Sequence, residues 1–290
     1  MGCGSWTSES FTSYSESRGR SVDLKTMSLK GDYDVQEMYS QRRLADELDP
    51  MNIMRECCDS EEHPNSFPVI LALDVTGSMG SAATDVAKKL NYVMTELYKQ
   101  VKDVQFMIMG IGDLAYDGAP VQVSQFESDI RIAEQLDKIY FEAGGGSNPY
   151  ESYTLAWYIG SRHCKLDCWG RNKKGVIITM GDEIINPYLP QKPLSKVTGD
   201  NLQADIETGD LYSEASKKFN IYHLNVEHGW RNKRENIESF SAVLGSDYVK
   251  SANVNNIADK IIEIVVKEYK LQNEDQINNE SLFDSQGISW

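Results

Sequence analysis

The sequence predicts an α/β fold, a doubly wound and mostly parallel sheet with one antiparallel edge strand and helices on both faces. Three observations lead there. Residues 67–73, 104–111, 176–179 and 219–226 are short, nearly continuous apolar runs rich in Val and Ile, the pattern of strands covered on both faces. Segments 82–101, 150–162, 203–218 and 254–270 carry apolar residues at helical spacing and stand between or after those runs, and strand alternating with helix builds a parallel sheet. Residues 121–126 alternate apolar and polar soon after the second run, with Asp117-Gly118 between, and so read as the returning strand of a hairpin at the sheet edge.

The other segments are read in chain order. Residues 1–22 are rich in Ser, with Trp6, Phe11 and Tyr14 at no regular period, and are expected to form a flexible arm. Residues 23–66 form an N-terminal helical extension and linker. Val35, Met38, Leu44, Ala45 and Leu48 fall loosely at helical spacing, Asp49-Pro50 ends that segment, and the polar stretch 55–66 leads into a main domain over 67–270. The tail, 271–290, carries Glu274, Asp275, Glu280 and Asp284 without Lys or Arg and is expected to be mobile. There is no internal repeat.

A chain of 290 residues buries a core without disulfide or zinc staples. The balance of 29 Lys and Arg against 44 Asp and Glu, formally -15, argues against a nucleic-acid binder, which needs clustered basic residues, and favours cations or basic protein surfaces as partners. No apolar run approaches membrane length, and the start MGCGSWTSES has neither the basic residues nor the apolar core of an export signal, so the protein is expected in the cytoplasm. Trp6 stands where a myristoylation signal needs Ser or Thr. Five cysteines in such a compartment read as reduced thiols. Cys57-Cys58 has no assigned role. Cys164 and Cys168, at i and i+4, suit a half-buried helix face, with a metal site that includes His163 as the alternative. His223 and His228 read as structural or surface residues, and Tyr153, Trp157 and Tyr158 as packing.

In an open α/β sheet ligands bind beyond the carboxyl ends of the strands. Three such places are rich in oxygen. After the first run, Asp74-Val-Thr76-Gly-Ser78-Met-Gly sets a carboxylate and two hydroxyls at alternate positions on a turn. Gly144-Gly-Gly-Ser147-Asn148-Pro149 adds a hydroxyl and an amide before a helix, and Asp182-Glu183 follows the 176–179 run. Hydroxyls and carboxylates without His or Cys select a hard cation, Mg²⁺ or Mn²⁺, with water completing the shell. Asp113 and Glu151 lie near the same rim, Asp113 read as an exposed turn residue.

Asp74-x-Thr76-x-Ser78 resembles the D-x-[ST]-x-S signature of von Willebrand factor A (VWA) domains, which form a metal-ion-dependent adhesion site (MIDAS). Gly145-Gly146-Ser147 matches that family's Gly-Gly-Thr type loop, with Ser where Thr is usual, and Asp182 its acid after the fourth strand, in the order Gly-Asp where Asp-Gly is common. The resemblance implies that Thr76 and Ser78 bind the metal directly, Ser147 directly or through water, and Asp74 and Asp182 through water, with Glu183 as an alternative to Asp182. It further implies an intracellular, non-enzymatic binding module that captures a partner protein's Glu or Asp, in a multiprotein assembly or beside an AAA+ ATPase. A structural subunit with a degenerate metal site is one alternative. A metal-dependent phosphohydrolase with Asp74 as nucleophile is the other, although Thr76 stands where such enzymes place a second Asp.

Overall fold

The apolar runs become the central strands of a six-stranded sheet. The structure, a computed structural model, describes residues 4–142, 148–227 and 233–284. The sheet comprises β1 (Phe67–Asp74), β2 (Val104–Ile111), β3 (Val121–Val123), β4 (Gly175–Gly181), β5 (Phe219–Val226) and β6 (Val249–Ala252), in the spatial order β6-β5-β4-β1-β2-β3. Neighbours run parallel except β2 and β3, the antiparallel edge pair. The helices are α1 (Ser8–Ser17), α2 (Val35–Met38), α3 (Gly80–Lys88), α4 (Leu90–Tyr98), α5 (Arg131–Leu136), α6 (Leu155–Arg162), α7 (Gln191–Thr198), α8 (Thr208–Ala215), α9 (Lys233–Leu244) and α10 (Ile257–Asp284).

Every residue of β1, β2 and β4 is buried, which explains their nearly continuous apolar runs. Side chains alternate across the sheet. Val69, Leu71 and Leu73 join a core with Val86 of α3, Met94 and Leu97 of α4 and Ile261 of α10, whereas Ile70 and Ala72 join one with Leu155 and Ile159 of α6, Leu211 of α8 and Phe240 of α9. Helices thus cover both faces, as the α/β reading expects. In register, Asp74 lies opposite Ile111 and Leu73 opposite Met180, so β1, β2 and β4 end together. Strand order reverses between β1 and β4, and the crevice where such sheets bind ligands opens beside Asp74.

Several expectations are corrected. The arm 1–22 is not flexible where it is described. Thr7 caps α1, accepting a hydrogen bond from Ser10 N at 3.1 Å, and Trp6 and Phe11 are buried with ring centroids 5.5 Å apart. Tyr14 Oη and Arg20 Nη1 each donate to Asp137 at 2.8 Å, tying the arm to the end of α5. The helix expected over 34–48 shrinks to α2 and a 3-10 turn at Asp46–Leu48, because the Asp34/Glu37 capping box starts a turn whose apolar face lapses before Leu44. The helix expected over 82–101 divides at Lys89, whose Nζ reaches the Val254 and Asn255 carbonyls at 3.1 and 3.2 Å. α10 extends through the tail as far as Asp284, and 285–290 lie outside the described residues.

Cys164 and Cys168 do not share a helix face. Arg162 ends α6, Cys164 begins a short strand, Cys164–Leu166, that pairs parallel with Arg55–Cys57, and Cys168 lies in a 3-10 turn. Burial pushes both thiols up to about 12, so they are neutral. His163 bonds the Ile53 carbonyl at 3.1 Å and Asp200 Oδ2 at 2.7 Å. His223 is buried in β5, stacked on Phe240 with centroids 3.4 Å apart, and His228 lies outside the described residues.

Candidate metal site

Asp74 closes β1, and the chain then turns through Thr76 and a 3-10 turn at Gly77–Met79 into α3. The short residues on this turn fold its side chains back on the strand end. Asp74 Oδ1 accepts both the backbone N–H of Thr76, at 2.9 Å, and its hydroxyl, at 2.6 Å, while Oδ2 accepts the Tyr153 hydroxyl at 2.7 Å. Across the crevice, Ser78 Oγ donates to Asp182 Oδ1 at 2.8 Å. Four of the five expected residues therefore form two hydroxyl–carboxylate pairs, Thr76 with Asp74 and Ser78 with Asp182. The fifth, Ser147, lies outside the described residues. Each hydroxyl gives its proton to a carboxylate and keeps its oxygen lone pairs, which a hard cation can use.

The Gly181-Asp182 order has a steric reason. A Cβ at Gly181 would lie 1.9 Å from Tyr153 Oη, so only glycine admits the hydroxyl that reaches Asp74, and the acid follows one residue later. The Asn236 side-chain amide of α9 donates to the Asp182 carbonyl, and Tyr153 Oη accepts the Glu183 N–H at 3.3 Å. Asp182 is thus the acid that meets Ser78. Tyr153, read from the sequence as packing, has its ring against His223 and Phe240 with centroids 5.3 and 5.5 Å away and its hydroxyl in the site. Nothing in residue spacing marks Tyr153 or Asn236, since they reach the site from distant elements.

The electrostatics are one-sided. Burial raises Asp74 to about 6, opposed by the Thr76 and Tyr153 hydrogen bonds and reinforced by the charge of Asp182. Glu151, in the two-residue strand Tyr150–Glu151 and not at a helix start, is raised to about 9 by burial and by the charges of Asp74, Asp117, Asp113 and Asp182. The charges that act most on either group are acidic. Asp113 is buried rather than exposed. It accepts the Ala115 N–H at 2.7 Å on Oδ1, and its Oδ2, like Oε2 of Glu151, is buried without a hydrogen-bond partner. Oxygen donors, clustered buried acids and orphaned carboxylate oxygens fit a hard divalent cation. Among the described residues no group of three or more His, Cys, Asp and Glu is placed to hold a metal.

No family model matches the chain, and no curated protein matches it in sequence. Similar solved structures include the open conformation of the pilus adhesin SpaC from Lactobacillus rhamnosus GG, at 12% identity and a TM-score of 0.48 over 75% of this chain. The chain spans 31% of that adhesin. The vWF domain of the type V pili tip protein Mfa5 from Porphyromonas gingivalis is similar over 71% of this chain and 96% of its own, at 12% identity and TM-score 0.46. The conserved hypothetical protein BatB from Bacteroides thetaiotaomicron matches over 71% of this chain and all (100%) of its own, at 15% identity and TM-score 0.43. No helix among the described residues is long and apolar enough to cross a membrane.

Proposed function

We propose that this chain is a protein-binding module in which Mg²⁺ or Mn²⁺, held by Thr76 and Ser78 and backed by Asp74 and Asp182, captures a Glu or Asp side chain of a partner protein. The observation that carries the reading is the pair of hydroxyl–carboxylate hydrogen bonds at the crevice, Thr76 to Asp74 on the turn after β1 and Ser78 to Asp182 across from β1 to β4. Asp74 and Asp182 are buried while Ser78 is half-buried, so a cation held by the hydroxyls would keep charge toward solvent. When bound, the ion supplies a Lewis-acidic point for an incoming carboxylate. The chain's own residues orient the hydroxyls and hold the loop.

The resemblance of the Asp74 loop to VWA domains supports a non-enzymatic role within a multiprotein or ATPase-linked assembly, and the free, buried Cys57, Cys164 and Cys168 are in keeping with a reducing, cytoplasmic setting. Phosphohydrolase chemistry is disfavoured, because Asp74 is 0% exposed and both its oxygens already accept hydrogen bonds, which leaves no nucleophile at the surface. A pull-down from cell extract tests the reading. The principal partner should be lost in EDTA, regained with Mg²⁺, and lost again with Ser78→Ala in the presence of Mg²⁺. Equal recovery under all conditions favours the structural-subunit alternative.

A further inference from the structure

The Tyr150–Glu151 strand brings to the site a carboxylate that lies outside the Asp74-x-Thr76-x-Ser78 pattern. Tyr150 and Glu151 pair parallel with Ile184 and Ile185, just beyond Asp182, and the next residue, Ser152, donates its backbone N–H to the Gly112 carbonyl at 3.3 Å. Glu151 is therefore fixed between the ends of β2 and β4, beside the end of β1. It is 6% exposed, and its Oε2 has no hydrogen-bond partner. The charges of Asp74, Asp117, Asp113 and Asp182 all act on it. A buried carboxyl with a free oxygen and acidic neighbours either takes up a proton or meets a cation, and a divalent cation at the adjoining hydroxyls can displace that proton.

We propose that Glu151 is a carboxylate ligand of the same cation that Thr76 and Ser78 hold, so that the ion resides in the site before any partner arrives. This rests on the cation-dependent reading above and adds its regulation. A resident ion partly neutralised by Glu151 pulls less on an external carboxylate, so capture at the loaded site is reversible, whereas an ion held by hydroxyls alone would depend on the partner's carboxylate to stay bound.

The test is calorimetric titration of Mn²⁺ into the metal-stripped full chain as wild type, Glu151→Gln and Ser78→Ala, with thermal unfolding of each protein in EDTA. Glu151→Gln should bind Mn²⁺ about tenfold more weakly or worse, the scale on which supporting ligands act. Its metal-free melting temperature should lie close to that of wild type, because without a cation the buried carboxyl is protonated and the amide matches it in size and charge. Affinity within about twofold of wild type, with binding lost in Ser78→Ala, would overturn the assignment of Glu151 and leave the cation site standing. A metal-free melting temperature well below wild type would mark Glu151 as a structural residue and overturn the assignment as well. Absence of saturable binding by the wild type overturns the cation site itself, and the role of Glu151 with it.

Discussion

Replacing Trp6 by Ala tests whether the N-terminal segment belongs to the folded domain. Trp6 is 6% exposed, packs on Phe11 and donates its indole N–H to Asn91 Oδ1 at 2.9 Å, joining the arm to α4. Truncating a buried Trp to Ala costs about 3–5 kcal/mol, from lost transfer energy and the cavity left behind. For a domain of this size each kcal/mol lowers the melting temperature by about 2 °C, so Trp6→Ala should melt roughly 6–10 °C below wild type. Trp6→Phe keeps much of the apolar area but withdraws the donor from buried Asn91, and should cost about 1–3 kcal/mol, or roughly 2–6 °C. Both shifts are measured by calorimetry in EDTA and again with Mg²⁺, since Trp6 lies on the α4 side of the sheet, away from the metal site. A shift below about 2 °C for Trp6→Ala would refute the reasoning, because an undocked arm loses nothing when its Trp is removed.

Two further predictions concern the core behind the site. His223 is 0% exposed, and burial lowers it to about 3 from an ordinary 6.5, so between those values the unfolded chain binds the extra proton; stability is full above pH 6.5 and falls as pH drops toward 3. At pH 5 the loss is about 2 kcal/mol, and urea unfolding at pH 5 and 7.5 should show that much less acid sensitivity in His223→Gln than in wild type; identical slopes would mean that His223 protonates without unfolding. Gly181→Ala forces a Cβ to within 1.9 Å of Tyr153 Oη and should destabilise by about 1–3 kcal/mol while weakening Mg²⁺ binding, and a silent substitution would show that Tyr153 does not stand over Gly181.

The strands readable in advance are those buried on both faces. The runs 104–111 and 219–226 coincide with β2 and β5, because two covering layers favour mostly apolar stretches, interrupted here only by Gln105 and by Asn220, His223 and Asn225. β6, Val-Lys-Ser-Ala at the sheet edge, has only β5 as a neighbour and needs no such run, so its sequence resembles a loop. The arm escaped for a different reason. Trp6, Phe11 and Tyr14 are spaced by five and three residues, which fits no single face, and a helix of ten residues is marginal alone. Its order comes from surfaces that exist only after the rest has folded, the α4 face that receives Trp6 and the carboxylate of Asp137. Asn91 and Asp137 become partners for an N-terminal segment only through that tertiary placement.

The candidate site divides along the same line. Asp74, Thr76 and Ser78 could be picked out because one turn carries all three, and Asp182 because it follows a strand that must end beside β1. Tyr153 and Asn236 could not, since Tyr153 meets Asp74 across 79 residues and Asn236 meets Asp182 across 54. Yet Tyr153 accounts for the feature of the motif that looked most irregular. Its hydroxyl, wedged over Gly181, both supports Asp74 and displaces the second acid by one position, so that Asp182 still meets Ser78 at 2.8 Å. The Gly-Asp order and the tyrosine are therefore one adaptation. Restoring the Asp-Gly order would put a side chain where the Tyr153 hydroxyl lies, so it requires losing that hydroxyl at the same time. In turn, removing the hydroxyl alone leaves buried Asp74 with only its two Thr76 donors, so a bound cation then carries more of the work of stabilising its charge.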